Sequence, residues 1–164
     1  MRVLGIESSS LVASVAIVTD GILTAEYTVN LKKTHSQTLL PMIDEVIRML
    51  EIELDTIDAI AVSGGPGSFT GLRIGSATAK GLGLAMKKPL IHVPTVDAMA
   101  YNLYGTDALI CPIMDARRNQ VYTGLYHFRE EFEIVKEQQP ADIKELVEEL
   151  NGRVDNFGFT ALYD

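Results

Sequence analysis

The sequence has one cysteine and no long apolar run, and each of these shortages excludes a class of protein. Cys111 alone cannot form an internal disulfide, which is typical of proteins from a reducing compartment. No stretch approaches the roughly 18 consecutive apolar residues of a membrane-spanning helix. Glu7 interrupts the first apolar segment too early for a signal peptide. We therefore expect a cytoplasmic protein without a membrane anchor.

Basic residues are also scarce, since 14 Lys and Arg stand against 22 Asp and Glu and the formal charge is −8. A chain this acidic is repelled by the phosphate backbone of a nucleic acid. If the protein works on nucleic acid, we expect a more basic partner to hold that substrate and direct binding to be weak. The other interpretation is that the negative charge only keeps the protein in solution.

The start of the chain has the pattern of antiparallel strands. Residues 3–7 and 12–18 alternate or run apolar and are rich in valine and isoleucine, which predicts two strands joined by a serine-rich turn. Asp20-Gly21 is a strong hairpin signal and predicts a third strand near Ile22–Val29. Three antiparallel strands therefore open the chain.

Two longer helices are predicted on either side of a short strand at 58–63. Apolar residues three and four apart form one stripe over 34–51, where Thr34 or Ser36 can cap the helix. A second helix over 72–86 ends at cations that suit the negative end of its dipole. Further strands are predicted at 90–93, 108–114 and 120–128, and further helices at 95–104 and 141–150.

The most informative segment is the glycine-rich stretch at 63–75, which follows a strand and opens a helix. Glycines let backbone N–H groups approach an anion closely, and a helix N-terminus adds partial positive charge. The stretch is neither a Walker loop nor a dinucleotide fingerprint. A phosphate site is one interpretation, and a tight turn that needs positive φ is the other. The candidate phosphate or nucleotide ligands are Ser8, Ser9, Gly64, Gly65 and Gly67.

Small residues recur at every fourth position of the second helix, at Gly71, Gly75, Ala79 and Gly83. They form a shallow groove in which another element can come close. Each interior glycine costs about 1 kcal/mol relative to alanine, so close packing is expected to offset the cost. The groove packs either on the chain's own sheet or first helix, which the spacing alone favours, or on another subunit.

The three histidines do not form a metal-binding pattern. His35, His92 and His127 lie far apart in sequence, and none is three or four residues from another. A zinc or iron site needs convergent ligands, so we predict no metal site. No nucleophile elbow is present either. Cys111 lies in an apolar run and is expected to be buried and inert.

The segment Asp115-Ala-Arg-Arg-Asn119 places one acid and two cations on a predicted hairpin turn. One interpretation is a partner or ligand contact made by Asp115, Arg117 and Arg118. The other is a solvated turn with a local ion pair, which contributes little to stability. The turn alone does not decide between them.

Four groups of residues together resemble one family. They are Gly5-Ile-Glu-Ser-Ser9, Thr34-His-Ser36, the 63–75 stretch with Ala79-Lys80-Gly81, and Asp115-Ala-Arg-Arg118 with Val121-Tyr122. The chain is similar to the TsaB (YeaZ) family, the bacterial partner subunits for threonylcarbamoyl-adenosine modification of tRNA. The resemblance covers about residues 1–128.

The resemblance implies an α/β fold with actin-like (ribonuclease H-like) ATPase lobes. Each lobe is a mixed sheet flanked by helices and opens with three antiparallel strands. We expect the first lobe, with the glycine-rich loop and the interface helices, at 1–104 and the second at 105–164. Family members usually continue for several dozen residues, so the second lobe is expected to be incomplete.

The resemblance also implies partners. The catalytic relative TsaD transfers a threonylcarbamoyl group to N6 of the adenosine at position thirty-seven of tRNA, TsaB pairs with TsaD, and the ATPase TsaE joins them. Alone, TsaB forms a homodimer through the two helices of its first lobe, and tRNA is reached only through the complex. The implied interface residues are His35, Leu39, Ile43, Gly71, Arg73, Gly75 and Ala79.

The chain departs from the catalytic relative at two places. Ser10-Leu-Val12 replaces acids that follow the opening turn, and only His92 stands where the relative has a His-x-x-x-His metal pair. Without ligands there is no Lewis acid. We therefore predict a non-catalytic subunit with no catalytic residue, no metal and no intrinsic cofactor, with any ATP or ADP shared at the complex interface. The alternative is an enzyme that acts alone. One version is a nucleotide-binding phosphotransferase or ATPase, for which Glu7 is the only candidate carboxylate for magnesium. The other version is a glycoprotease-like peptidase.

Overall fold

The computed structural model describes residues 1–30 and 35–153 and the backbone of 159–163. The chain divides into two compact units, Met1–Val93 and Pro94–Asp164, and each has its own sheet. The elements of the first unit are β1 (Arg2–Glu7), β2 (Ala13–Thr19), β3 (Ile22–Val29), α1 (His35–Met49), a 3₁₀ turn (Leu54–Thr56), β4 (Ala59–Ser63), α2 (Phe69–Met86) and β5 (Leu90–Val93).

The sheet of the first unit has the order β3-β2-β1-β4-β5. β1 and β2 pair antiparallel, as do β2 and β3, whereas β4 runs parallel to both β1 and β5. The prediction of three antiparallel opening strands is therefore confirmed. Asp20 and Gly21 both have positive φ, which an Asp-Gly hairpin turn requires.

The core of the first unit lies between this sheet and its two long helices. Alternate strand residues such as Leu4, Ile6 and Val15 are buried beneath the helices. α1 contributes the apolar stripe predicted from its sequence, and α2 packs on β4. α1 begins at His35, and its predicted cap Thr34 lies outside the described residues.

The elements of the second unit are α3 (Thr95–Ala100), a 3₁₀ turn (Tyr101–Leu103), β6 (Leu109–Arg117), β7 (Gln120–Phe128), β8 (Phe132–Asp142), α4 (Ile143–Asn151) and β9 (Phe159–Tyr163). Its four-stranded sheet has the order β8-β7-β6-β9. β6 pairs antiparallel with β7 and parallel with β9. One face of the sheet packs on Val96 and Ala100 of α3, and the other packs on Leu146 of α4.

The division between the units falls earlier than the predicted lobes 1–104 and 105–164. The reason is that α3 belongs to the second unit. Val96 is buried with Ile110 and Tyr126, and its N–H donates a hydrogen bond to the side chain of Gln138. The helix predicted over 95–104 is also shorter than expected, because it changes to a 3₁₀ turn at Tyr101.

Candidate functional site

The serine-rich turn after β1 and the glycine-rich loop before α2 lie against each other. They meet because β1 and β4 are parallel neighbours, so the chain leaves both strands at the same edge of the sheet. The Ser68 N–H donates to the Ser9 carbonyl at 2.6 Å, and the Ser8 N–H donates to the Ser63 hydroxyl at 3.4 Å. The structure therefore brings together two segments that the sequence marked separately.

Glycine is required in this region because neighbouring atoms occupy the space of a side chain. A Cβ at Gly67 would lie 2.5 Å from the Ser9 carbonyl oxygen. One at Gly71 would lie 2.0 Å from the Ser8 carbonyl oxygen, and one at Gly64 would lie 1.8 Å from Nε2 of His92. Because the atoms near Gly67 and Gly71 are backbone oxygens, these two positions must lack side chains, whereas the space at Gly64 is taken by the exposed side chain of His92.

Several donors that an anion could use are already bonded within the protein. The Ser8 hydroxyl is buried and donates to the Gly71 carbonyl at 3.0 Å. The Ser9 N–H donates at 2.5 Å to the carboxylate of Glu7, so this turn holds an acid of its own. The Ser68 hydroxyl caps α2 by accepting the Gly71 N–H at 3.2 Å.

These contacts support the tight-turn interpretation of the glycine-rich segment. A phosphate at this place would have to displace Glu7 and break internal hydrogen bonds of Ser8 or Ser9. Binding of a nucleotide at Ser8, Ser9, Gly64, Gly65 and Gly67 stays a prediction, and the local geometry disfavours it. The role of Glu7 as the acceptor within the turn could not be predicted, because aspartate and asparagine are the residues that typically bond the amide two residues on, and glutamate gives no such signal.

The predicted interface residues differ in how exposed they are, and their role in an interface stays a prediction. Leu39 and Ile43 belong to the core, with 1% and 3% of their surfaces exposed. Gly71, Gly75 and Ala79 are buried as well, because the glycine stripe packs on Ser8 and on β4 of the same chain. This is the packing that the spacing favoured. Of the residues predicted for the interface, Arg73 is exposed and His35 is half-buried.

The outer faces of α1 and α2 carry several exposed apolar side chains. Phe69 is 69% exposed, and the guanidinium of Arg73 lies 3.9 Å from the centre of its ring. His35 lies below this surface, and its Nε2 bonds the Ser10 carbonyl at 2.8 Å. The exposed apolar residues on these helices are Leu40, Met49, Phe69 and Leu84. This surface is accessible to a partner, unlike the glycine stripe.

Asp115 and Arg117 lie at the end of β6 and Arg118 follows in the turn to β7, and all three residues are exposed. The Arg117 N–H donates to the Asp115 carboxylate at 2.7 Å. The sequence prediction of one acid and two cations on a hairpin turn is therefore confirmed. Its role as a partner contact stays a prediction.

The remaining candidates from the sequence are a metal site and the thiol of Cys111. Within the described residues, no three His, Cys, Asp or Glu side chains converge on a point where a metal could bind. Cys111 is buried beside the Thr123 hydroxyl, 3.3 Å away, and burial raises the pKa of its thiol. The prediction that Cys111 is buried is confirmed, and the prediction that it is inert stays a prediction. Among the described helices, none has the length and apolar content needed to cross a membrane.

The family model described as TsaD, tRNA N6-adenosine threonylcarbamoyltransferase, matches residues 24–153. The chain is 37% identical over 129 residues to the tRNA threonylcarbamoyladenosine biosynthesis protein TsaB of Bacillus subtilis, a match that covers 79% of this chain and 56% of that protein. It is 32% identical over 162 residues to TsaB of Escherichia coli, which covers 93% of this chain and 68% of that protein.

The structure is similar to YeaZ from Pseudomonas aeruginosa, with a TM-score of 0.75 at 28% identity. The similarity covers 86% of this chain and 66% of that one. The chain thus spans between half and about two thirds of the length of these relatives.

The mixed sheet with its three antiparallel opening strands and flanking helices defines an actin-like (ribonuclease H-like) α/β protein. Within that class, the glycine-rich segment, the Asp-Ala-Arg-Arg turn and the extended identity identify a narrower group. The chain belongs to the TsaB (YeaZ) family. The resemblance noted from its sequence motifs is therefore confirmed.

Proposed function

We propose that this chain is a non-catalytic partner subunit in the synthesis of N6-threonylcarbamoyladenosine at position thirty-seven of tRNA. In this role it binds and activates the catalytic protein TsaD. The proposal is supported by the names of the relatives from Bacillus subtilis and Escherichia coli, which place those proteins in this biosynthesis. The cytoplasm as the place of action is part of the same proposal.

The observation that carries the non-catalytic part of the proposal is the closed contact between the serine-rich turn and α2. The Ser8 hydroxyl is bonded to the Gly71 carbonyl, and the Ser9 amide is bonded to Glu7. In an enzyme that transfers phosphate, such a turn has to offer free donors to the phosphate group. Here the Ser8 hydroxyl holds the chain's own helix and the Ser9 amide holds Glu7, which suits a subunit that supplies a surface.

The partners in this proposal are TsaD and TsaE, with a homodimer when the chain is alone. The exposed outer faces of α1 and α2 are the surface for the contact, in place of the buried glycine stripe. Phe69 and Arg73 form an aromatic and cationic pair of the kind enriched at interfaces. tRNA is reached only through the complex, because the chain carries a formal charge of −8. Any ATP or ADP is shared at the interface.

The test is reconstitution of the modification with purified components. TsaD, TsaE, tRNA and ATP are incubated with and without this chain, with the threonylcarbamoyl donor supplied, and the modified adenosine is quantified by mass spectrometry. We expect product to increase with the chain present and none to form with the chain alone. Phe69→Ser should weaken the effect, whereas Lys80→Gln, an exposed change further along α2, should not.

Two results would contradict the proposal. One is an unchanged product yield when the chain is added to TsaD and TsaE. The other is activity of the chain alone, either turnover of magnesium–ATP or chelator-sensitive cleavage of a protein. Calorimetry with magnesium–ATP and a casein digestion assay test these two enzymatic alternatives directly.

A further inference from the structure

The β6–β7 turn holds two arginines in a backbone conformation that side chains disfavour. Arg117, Arg118 and Asn119 have φ values of 66°, 52° and 62°. Residues with a Cβ rarely adopt this region, and hairpin turns that require it usually contain Asn-Gly or Asp-Gly. Arginine has no conformational advantage at either position. The side chains must therefore account for the choice of residue.

This arginine turn, residues 115–119, is fixed at both ends. The Arg117 N–H donates to the Asp115 carboxylate at 2.7 Å, and Arg117 pairs with Gln120 across the hairpin. On the other side, the Ile143 N–H donates to the Asn119 carbonyl at 3.1 Å. The two arginines are consequently presented by a rigid support, which lowers the entropy lost when they bind a ligand.

Neither guanidinium has a partner within the described part of the chain. Both arginines are exposed, and the Asp115 carboxylate beside them accepts a backbone N–H. Among the described residues, only three other long cations have acidic partners. Those ion pairs are Arg48 with Glu45, Lys136 with Glu149, and Arg153 with Glu149. An acidic chain thus leaves two adjacent arginines unpaired at one exposed point.

We propose that the arginine turn docks a carboxylate pair on the surface of a partner protein. The planar guanidinium matches a carboxylate with two parallel hydrogen bonds, and two adjacent arginines can hold two neighbouring carboxylates. RNA is a poorer match, because affinity for RNA comes from many phosphate contacts and this chain repels the backbone elsewhere. The choice of partner to test rests on the proposed function.

The experiment measures binding of the full chain to TsaD, and to TsaD with TsaE, by isothermal titration calorimetry at two salt concentrations. The test variants are Arg118→Gln and the double variant Arg117→Gln/Arg118→Gln. The matched control is Arg129→Gln, which removes an exposed arginine from the β7–β8 turn of the same unit, at a position without positive φ. Circular dichroism checks that each variant folds.

We expect the double variant to raise the Kd for the protein partner at least about tenfold and to reduce its salt dependence, because two charge-assisted contacts are lost. The Arg129→Gln control should bind like the original chain. Equal binding by all variants would overturn the inference and leave the proposed function intact. A double variant that binds the protein partner normally but loses tRNA binding, measured by gel shift of the complex, would also overturn the inference. That result would assign the turn to RNA. If the original chain binds neither protein, the proposed function itself fails.

Discussion

A Cβ on Gly75 would lie 2.2 Å from the hydroxyl oxygen of Ser8. Ser8 is completely buried, and that same hydroxyl donates a hydrogen bond to the Gly71 carbonyl one turn earlier in α2. The helix is therefore attached to the turn after β1 by a face that has no side chains. This contact explains why a residue without a side chain stands at position 75, and the explanation can be tested.

The first prediction compares two glycines of α2. Gly75→Ala should lower the free energy of unfolding by about 1–3 kcal/mol, because the new methyl group overpacks the contact with Ser8. Gly81→Ala is the control, since nothing lies within 4 Å of its Cβ position. That change should raise stability by about 0.5–1 kcal/mol through helix propensity. Urea unfolding followed by circular dichroism measures both.

The same contact predicts a rescue. Ser8→Ala removes the oxygen at 2.2 Å from the Gly75 Cβ position and leaves the Ser8 Cβ at 3.5 Å. The double variant Ser8→Ala/Gly75→Ala should therefore lose less free energy of unfolding than the sum of the losses in the two single variants. Gly71→Ala should not be rescued, because its clash is with the Ser8 backbone oxygen at 2.0 Å. Strict additivity for the Gly75 pair would show that Ser8 is not the obstacle.

The second prediction concerns pH and Glu149. Its carboxylate accepts hydrogen bonds from Lys136 at 2.5 Å and from Arg153 at 3.2 Å, and the bond from Lys136 chiefly lowers the pKa of Glu149 below its usual range. A carboxyl whose pKa is lowered by folding stabilises the protein above its unfolded pKa. That stabilisation is lost as the pH falls through the folded pKa.

Glu149→Gln should therefore lower the free energy of unfolding at neutral pH by at most about 1 kcal/mol, because the paired side chains are still partly solvated. The difference from the original chain should shrink as the pH falls into the acid range. Glu148→Gln is the control, since Glu148 is exposed and forms no ion pair among the described residues. A Glu149 effect that is equally large in acid would point to packing instead of charge.

The third prediction concerns the thiol of Cys111. Only 1% of this residue is exposed, and burial raises the pKa of the thiol, so little reactive thiolate is available in the folded protein. Labelling by a disulfide reagent such as DTNB should follow the opening of the second unit and accelerate in urea. Rapid labelling of the native chain at the rate of a free thiol would contradict the burial.

The fourth prediction separates backbone strain from charge at Arg118. Arg118→Gly should be more stable than Arg118→Ala by about 0.5–1 kcal/mol, because glycine tolerates the positive φ and alanine does not. Both variants should lose affinity for the protein partner to the same extent, since both remove the guanidinium. Thermal unfolding and calorimetry give the two quantities separately. Equal stability of the two variants would show that the turn is not strained.

Local patterns were enough to predict the opening strands and α1. The apolar alternation, the Asp20-Gly21 turn and the stripe on α1 are each contained in a short window of sequence. The start of α2 was placed too late, at 72 instead of Phe69. Ser68 explains the difference, because its hydroxyl caps the helix and its carbonyl accepts the Leu72 N–H.

The sequence pattern did not predict β8, because the contacts that stabilise this strand come from another part of the chain. The strand has mostly exposed residues and contains Pro140, so its own pattern is weak. Backbone pairing with β7 holds it in place, with Tyr122 opposite Pro140. The contact of Ser8 with Gly75 is equally non-local. The sequence could indicate that the glycines needed a close neighbour, but only the fold identifies Ser8 as that neighbour.

The hydrogen bond from the Ser9 amide to Glu7 affects how readily a free anion can bind in this turn. The carboxylate is tethered two residues from the amide, so it acts as an intramolecular ligand with an effective concentration of roughly millimolar or more. A free anion that enters this turn must displace the Glu7 carboxylate before it can accept a hydrogen bond from the Ser9 N–H. We therefore expect the turn, and the start of α2 that packs on it, to keep this shape unless an anion binds more tightly than the tethered carboxylate.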